Sequence, residues 1–142
     1  MRIIQTHRRA IALGGGLMLA AGLATAAIAQ RASPYPYDSG KDIYEHVCQG
    51  CHMPDAKGAV GAGMYPALAG NAKLRAPLYP VLVILRGQKA MPAFSELSDN
   101  QVAAVTNYIR TGFGNSGPGE VTAAQVKDQR ARAVTGEALR PG

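Results

Sequence analysis

Residues 48–52 read Cys48-Gln49-Gly50-Cys51-His52, and these five positions hold both cysteines of the 142-residue chain. A C-x-x-C-H run is the sequence form of covalent c-type haem attachment. Two thiols three positions apart can each add to one of the two vinyl groups of the same porphyrin. The next residue, His52, is then held beneath the iron, where an imidazole nitrogen becomes the proximal ligand. Three other chemistries compete for the same letters. A thioredoxin-like pair follows a strand in a βαβ pattern, and no such pattern surrounds it. A structural zinc site needs four nitrogen or sulfur ligands, whereas the chain offers two Cys and three His, one of them (His7) near the N-terminus. A Cys48–Cys51 disulfide would close too short a loop to stabilise much.

Working outward, the second axial ligand is sought among the methionines. Met91, in Ala90-Met91-Pro92-Ala93-Phe94, follows His52 by about forty residues on a Gly/Pro-bearing loop, enough chain to reach the opposite face of a porphyrin. A thioether on iron raises the reduction potential relative to a second imidazole. The alternative is that Met91 is gap-filling core, the commoner use of methionine. Met53 adjoins the proximal ligand and cannot cross; Met64 has the loop freedom to do so. His46 reads as a surface or packing residue. Length points to the same cofactor. Residues 38–114 number 77, a size at which an apolar core alone is marginal and a staple is usual. A porphyrin tied at two points and ligated through iron would supply it, and the domain should fold poorly without it.

The surrounding pattern is helical. Ser39 caps a helix, with Asp42 in the capping-box position and Ile43 and Val47 on its apolar side, expected from about Gly40 to Cys48. Residues 53–73, rich in Gly, Ala and Pro, read as loop. A second helix is expected over Pro77–Arg86, with Leu78, Leu82 and Leu85 at helical spacing, Pro80 in the first turn and Gly87 as its stop. A third has Ser98 as N-cap, Gln101 closing the box, Val102, Val105 and Ile109 as the buried stripe and Gly112 as terminator. Thr122 caps a short helix through Arg132, free either to dock or to fray. No internal repeat is present. The fold class is all-α: three to four helices with long loops.

Four units follow: residues 1–29 as a secretory signal peptide, 30–37 as an extended N-terminal segment set by Pro34 and Pro36, 38–114 as the haem domain, and 115–142 as a polar C-terminal tail. Arg2, His7, Arg8 and Arg9 precede an uncharged stretch from Ala10 to Ala29 that ends in Ala27-Ile28-Ala29, the order of an export leader. An uncleaved anchor is the alternative, weakened by the leader's glycines. The whole chain has 15 Lys and Arg against 9 Asp and Glu; loss of the leader leaves 12 against 9, about +3. That mild charge, with no dense basic stripe, argues against nucleic-acid binding. Any membrane association would come through partners or the leader.

The chain resembles the small single-haem c-type cytochromes of class I. The likeness covers about residues 38–114 and rests on Gly40-Lys41-Asp42-Ile43-Tyr44 leading into Cys48–His52, on Tyr65-Pro66-Ala67-Leu68-Ala69-Gly70-Asn71, on Met91-Pro92-x-Phe94 and on Asn107-Tyr108-Ile109. Tyr108-Ile109-Arg110-Thr111-Gly112-Phe113-Gly114-Asn115 is similar to the domain end in cytochromes associated with periplasmic dehydrogenases. The resemblance implies a class I cytochrome c fold around one covalent haem c, with His52 and Met91 on the iron. It implies that Gly40 lets the first helix cross the last against Tyr108. It also implies that the Pro66 carbonyl accepts the Nδ1 proton of His52, which fixes ring orientation, and that Leu68 packs on the haem face. Arg75, Arg86 and Lys89 are candidates for the haem propionates or plain solvated positions.

Three functions are expected to compete. The first is a periplasmic one-electron carrier, not itself an enzyme, taking electrons from a periplasmic dehydrogenase and passing them toward the respiratory chain through a terminal oxidase or another cytochrome. Lys57, Lys73, Arg75 and Lys89 would then form a basic rim that steers an acidic partner. The second is a fixed cytochrome subunit of one dehydrogenase complex, with the tail from Gly117 as docking segment. The third is a haem enzyme or gas-binding protein with an open iron face, for which no distal His or Arg motif is seen.

Overall fold

The computed structural model describes residues 33–61 and 64–135. The leader expected over 1–29, the first residues of the extended segment and the last part of the tail lie outside them. In chain order come α1 (Gly40–Ile43), a π turn (Tyr44–Cys48), α2 (Gln49–His52), β1 (Ala59–Val60), β2 (Met64–Tyr65), a 3₁₀ turn (Ala72–Arg75), α3 (Leu78–Arg86), α4 (Asp99–Thr111) and α5 (Ala123–Thr135). The architecture is the small all-α class I cytochrome c fold with long loops, decorated by one two-stranded antiparallel ladder that pairs Ala59 with Tyr65 and Val60 with Met64.

The first helix starts where the capping pattern places it: Ser39 Oγ accepts the Asp42 N–H at 3.0 Å. It does not stop at Cys48. Gln49 N–H reaches back to the Tyr44 carbonyl, a π step that takes up one extra residue, and the helical path then continues to His52. The apolar periodicity that ended the expected helix at Cys48 is broken by this extra residue, so the motif sits within the helical path and not just beyond it. In α3, Pro80 occupies the first turn as expected, but the core takes Pro80, Val81, Ile84 and Leu85 while Leu78 and Leu82 are only half-buried. Leu78–Leu85 is apolar on nearly every side, so spacing alone cannot select which face turns inward.

The α4 helix matches its expectation closely. Ser98 and Gln101 make the reciprocal capping box, and Val102, Val105 and Ile109 are buried. Its crossing with α1 depends on Gly40, since a Cβ there would strike the Ala104 carbonyl and the Tyr108 Cβ. Absence of that one carbon lets the backbones meet. The buried Tyr44 ring fills the adjoining space against Phe113 and Tyr108, with centroids 4.9 and 5.7 Å away. Such tilted aromatic pairs add about 0.5–1.5 kcal/mol beyond their area. Gln101 has a second duty: its Nε2 donates to the Tyr35 and Tyr37 carbonyls at 2.8 and 2.7 Å, pinning the extended N-terminal segment.

The α5 helix docks. Thr122 and Gln125 cap it, it packs on both α3 and α4, and Val126 is fully buried. Among the described residues no helix is long and apolar enough to cross a membrane.

Candidate functional site

The motif residues come from one continuous helical stretch. Cys48 ends the π turn and is half-buried, Cys51 lies exposed in α2, and His52 closes α2 with only 8% exposure. Neither thiol is bonded. Burial, and secondarily the neighbouring Cys51, pushes the Cys48 thiol up to about 12. With burial as the main cause, this sulfur resists becoming a free thiolate, which disfavours a redox nucleophile. A neutral thioether carries no such penalty. Among the described residues no three His, Cys, Asp or Glu side chains gather into a metal-binding group, so a structural zinc lacks its donors.

His52 is oriented by the loop opposite. Its Nδ1 lies 3.1 Å from the Pro66 carbonyl oxygen. A carbonyl only accepts, so Nδ1 carries the ring proton and Nε2 keeps a free lone pair, the tautomer a metal requires. Pro66 is brought there by the ladder. A side chain on Gly58 (φ +69°) would collide with the Tyr65 carbonyl and the Pro66 backbone, so only glycine allows this approach. Beyond it, the buried Ala56 offers its carbonyl to both Leu68 N–H (2.8 Å) and Ala69 N–H (2.9 Å), and Leu68 is left half-buried against the core. Asn115 ties this loop to the end of α4: its Nδ2 donates to the Leu68 and Ile109 carbonyls, both at 2.8 Å, and its Oδ1 accepts Asn71 N–H at 2.9 Å.

Gly58 and Ala56 act through their backbones and Asn115 through its side-chain amide, and no periodicity marks any of them. The hints in the sequence are that Gly58 and Asn115 are residue types favoured at unusual backbone turns and that Asn115 closes the stretch resembling a cytochrome domain end.

Met91 sits at the end of a tight turn after α3. Gln88 and Met91 exchange both backbone hydrogen bonds at 3.0 Å, with Lys89 at φ +54° between them. Gly87 (φ +72°) is required, because a Cβ there would meet the Met91 carbonyl and the Pro92 backbone. Met91 is half-buried against the core, and Phe94 N–H returns to the Ile84 carbonyl at 2.8 Å. Met64 is 78% exposed on β2. His46 stacks on Tyr37 with centroids 4.3 Å apart, and its Nδ1 meets the Asp42 carbonyl at 2.8 Å. Lys57 lies 3.3 Å from Asp55, which offsets part of its charge, while Lys73, Arg75 and Lys89 are exposed and Arg86 is half-buried.

The donor set therefore fits a covalently bound haem: two unbonded thiols on one helical stretch, an imidazole with its Nε2 free, and a half-buried thioether on a separate loop. Comparison with known proteins agrees. A family profile described as cytochrome c oxidase, cbb3-type, subunit III matches residues 36–109. The cytochrome c subunit of the quinone alcohol dehydrogenase of Gluconacetobacter polyoxogenes is 41% identical over 105 residues, covering 64% of this chain and 22% of that protein. Cytochrome c-552 of Thermus thermophilus is 34% identical over 117 residues, covering 68% of this chain and 87% of that one. The 4-cresol dehydrogenase (hydroxylating) cytochrome c subunit of Pseudomonas putida is 35% identical over 101 residues, covering 70% and 76%. The chain thus spans about a fifth of the alcohol dehydrogenase subunit and most of the two smaller relatives.

Proposed function

The chain belongs to the cbb3-type cytochrome c oxidase subunit III family of c-type cytochrome domains and binds haem c covalently, and from that premise we propose that it is an exported monohaem carrier of single electrons. Cys48 and Cys51 are the thioether positions, His52 and Met91 the axial ligands, and Pro66 and Leu68 line the same site. The observation that carries this reading is the 3.1 Å contact between His52 Nδ1 and the Pro66 carbonyl beside two unbonded thiols.

Bound haem supplies a one-electron ferric–ferrous couple. The chain's residues then have four tasks. Cys48 and Cys51 prevent loss of the cofactor. The Pro66 carbonyl holds the His52 proton on Nδ1, which raises the basicity of Nε2 and fixes the ring plane. The Met91 thioether favours the reduced state. The loops anchored by Ala56, Asn115 and Gly87 keep both ligand-bearing segments in place through a redox cycle, so that little reorganisation opposes transfer.

We place it outside the cytoplasmic membrane, after a leader over residues 1–29, with a periplasmic dehydrogenase as donor and a terminal oxidase or second cytochrome as acceptor. A fixed place in one dehydrogenase complex is the second reading, favoured by the 4-cresol dehydrogenase cytochrome subunit, of which this chain covers 76%. Purified mature protein should be red, with a ferric band near ~695 nm from Met ligation. Met91→Ala should remove that band, lower the potential and let carbon monoxide bind the reduced form; an unchanged spectrum would reject Met91. Co-purification of a dehydrogenase at fixed stoichiometry would select the second reading over the first.

A further inference from the structure

The segment that follows α4 lies outside the family match, yet it is laced to the domain at every step. Gly117 N–H donates to the Arg110 carbonyl at 2.8 Å. The fully buried Arg110 guanidinium donates to the carbonyls of Pro118 and Gly119, and to that of Leu74 on the 3₁₀ turn. Asn107 and Val121 exchange two hydrogen bonds of 2.8 Å. The chain then turns into α5, which seats Val126 and Gln129 against the body. In the middle of α5, Arg130 places its three nitrogens on one loop and the helix start that follows it: Nη1 on the Ser95 carbonyl (2.7 Å), Nη2 on the Leu97 carbonyl (2.7 Å) and Nε on Oδ1 of Asp99, the first residue of α4 (2.9 Å).

That loop is the connection from Met91 to α4. We propose that the segment 117–132 is an intramolecular brace, and that Arg130 is a positioning residue which holds the Met91 thioether on the iron by clamping residues 95–99. This rests on Met91 as axial ligand. The physical case is as follows. Met91 is fixed on its N-terminal side by the Gln88 turn and Gly87. On its C-terminal side the chain is tied at Phe94, whose N–H meets the Ile84 carbonyl, and then runs to the Ser98 cap through carbonyls at 95 and 97 that accept from Arg130. A guanidinium is a rigid fork, so satisfying two carbonyls and a carboxylate together immobilises all three at small entropic cost. The pair is also partly shielded, with side-chain exposures of 31% for Arg130 and 19% for Asp99, so salt screens it less than a surface bridge. A soft thioether binds ferric iron less well than ferrous. Loosening its loop should therefore show first in the ferric state.

The test is competition by imidazole for the ferric iron of the full-length holoprotein, read spectroscopically beside its denaturant unfolding. Arg130→Ala should bind imidazole about tenfold more tightly than the parent, ~1.4 kcal/mol of lost ligand preference. Arg130→Lys, which keeps charge but cannot fork, should fall between. Ser39→Ala, which removes the N-cap of α1 and whose side-chain hydrogen bonds among the described residues go only to Asp42, serves as the control for simple destabilisation and should leave imidazole affinity unchanged. If Arg130→Ala does not yield folded protein, Asp99→Asn keeps both carbonyl contacts and should give a rise of about threefold. Imidazole affinity within twofold of the parent for the first folded variant in that order, while Met91→Ala binds it far more tightly, overturns the brace and leaves Met91 in place. An equal rise in Ser39→Ala also overturns it, by showing the effect to be global. If Met91→Ala itself changes neither spectrum nor imidazole affinity, the axial assignment has failed and the brace with it.

Discussion

Met53, the residue directly after the proximal histidine, has φ 66° and ψ 159°. That region is close to glycine-only and costs about 1–3 kcal/mol for a residue with a Cβ. It persists because its neighbours hold it: Tyr44 Oη donates to the Met53 carbonyl at 2.7 Å, and Ala56 N–H to the same oxygen at 3.1 Å. The chain must turn sharply here to carry residues 56–69 back toward His52. Met53→Gly should therefore stabilise the holoprotein by about 1 kcal/mol after glycine's own entropic cost, measured by denaturant unfolding. Tyr44 makes a second prediction. Burial pushes its phenol up to about 12. The folded state thus prefers the neutral phenol, so this contribution is complete below the ordinary value near 10 and is lost as pH rises from there to about 12. Tyr44→Phe should lose about 1 kcal/mol at neutral pH because the Met53 carbonyl keeps only its Ala56 bond, yet decline less steeply between pH 10 and 12.

Every expected helix is present, and the one capped at both ends was readable in most detail. Ser98, Gln101 and Gly112 bound α4 by local chemistry, so its ends and buried stripe follow from the letters. In α3 the uniformly apolar run left the inward face undecided. Between α1 and α2 the π turn came from packing: Tyr44 must enter the ring cluster while His52 addresses the Pro66 loop, and one extra residue reconciles the two demands. The α1–α4 crossing is the most sensitive contact between elements. Gly40→Ala should push the helices apart and cost about 1–3 kcal/mol or more, since its Cβ meets backbone that cannot swing away. Circular dichroism melts of the holoprotein would measure it, and an unchanged melting temperature would contradict the crossing.

The described residues form one core cluster that draws on the first helical stretch, α3, α4 and α5 together. The loops that flank the two ligands, around 56–65 beside His52 and 87–98 around Met91, enter it through Ala56 and Leu97 and are otherwise held mainly by backbone hydrogen bonds and glycine contacts. Fixing such loops costs conformational entropy of about 1–2 kcal/mol per residue, and a shared ligand between them is an effective way to offset it. Replacing Cys48 and Cys51 together by Ala should yield colourless protein without a cooperative unfolding transition, followed by near-UV circular dichroism and denaturant titration. A compact, sharply unfolding colourless variant would show that the polypeptide core suffices.

From the letters alone came the attachment motif, its histidine, the favoured methionine and the capped helices, because each is specified by spacing or by chemistry within a few residues. Folding in three dimensions chose what lies between them. It selected Gly58, Ala56 and Asn115 to carry the Pro66 loop to His52, turned α3 to bury Val81 and Ile84, and brought Arg130 from the far end of the chain onto residues 95–99. Those contacts join positions tens of residues apart whose types are common and individually silent. Only backbone approach distances and shared carbonyls give them meaning, and these exist once the chain has closed on itself.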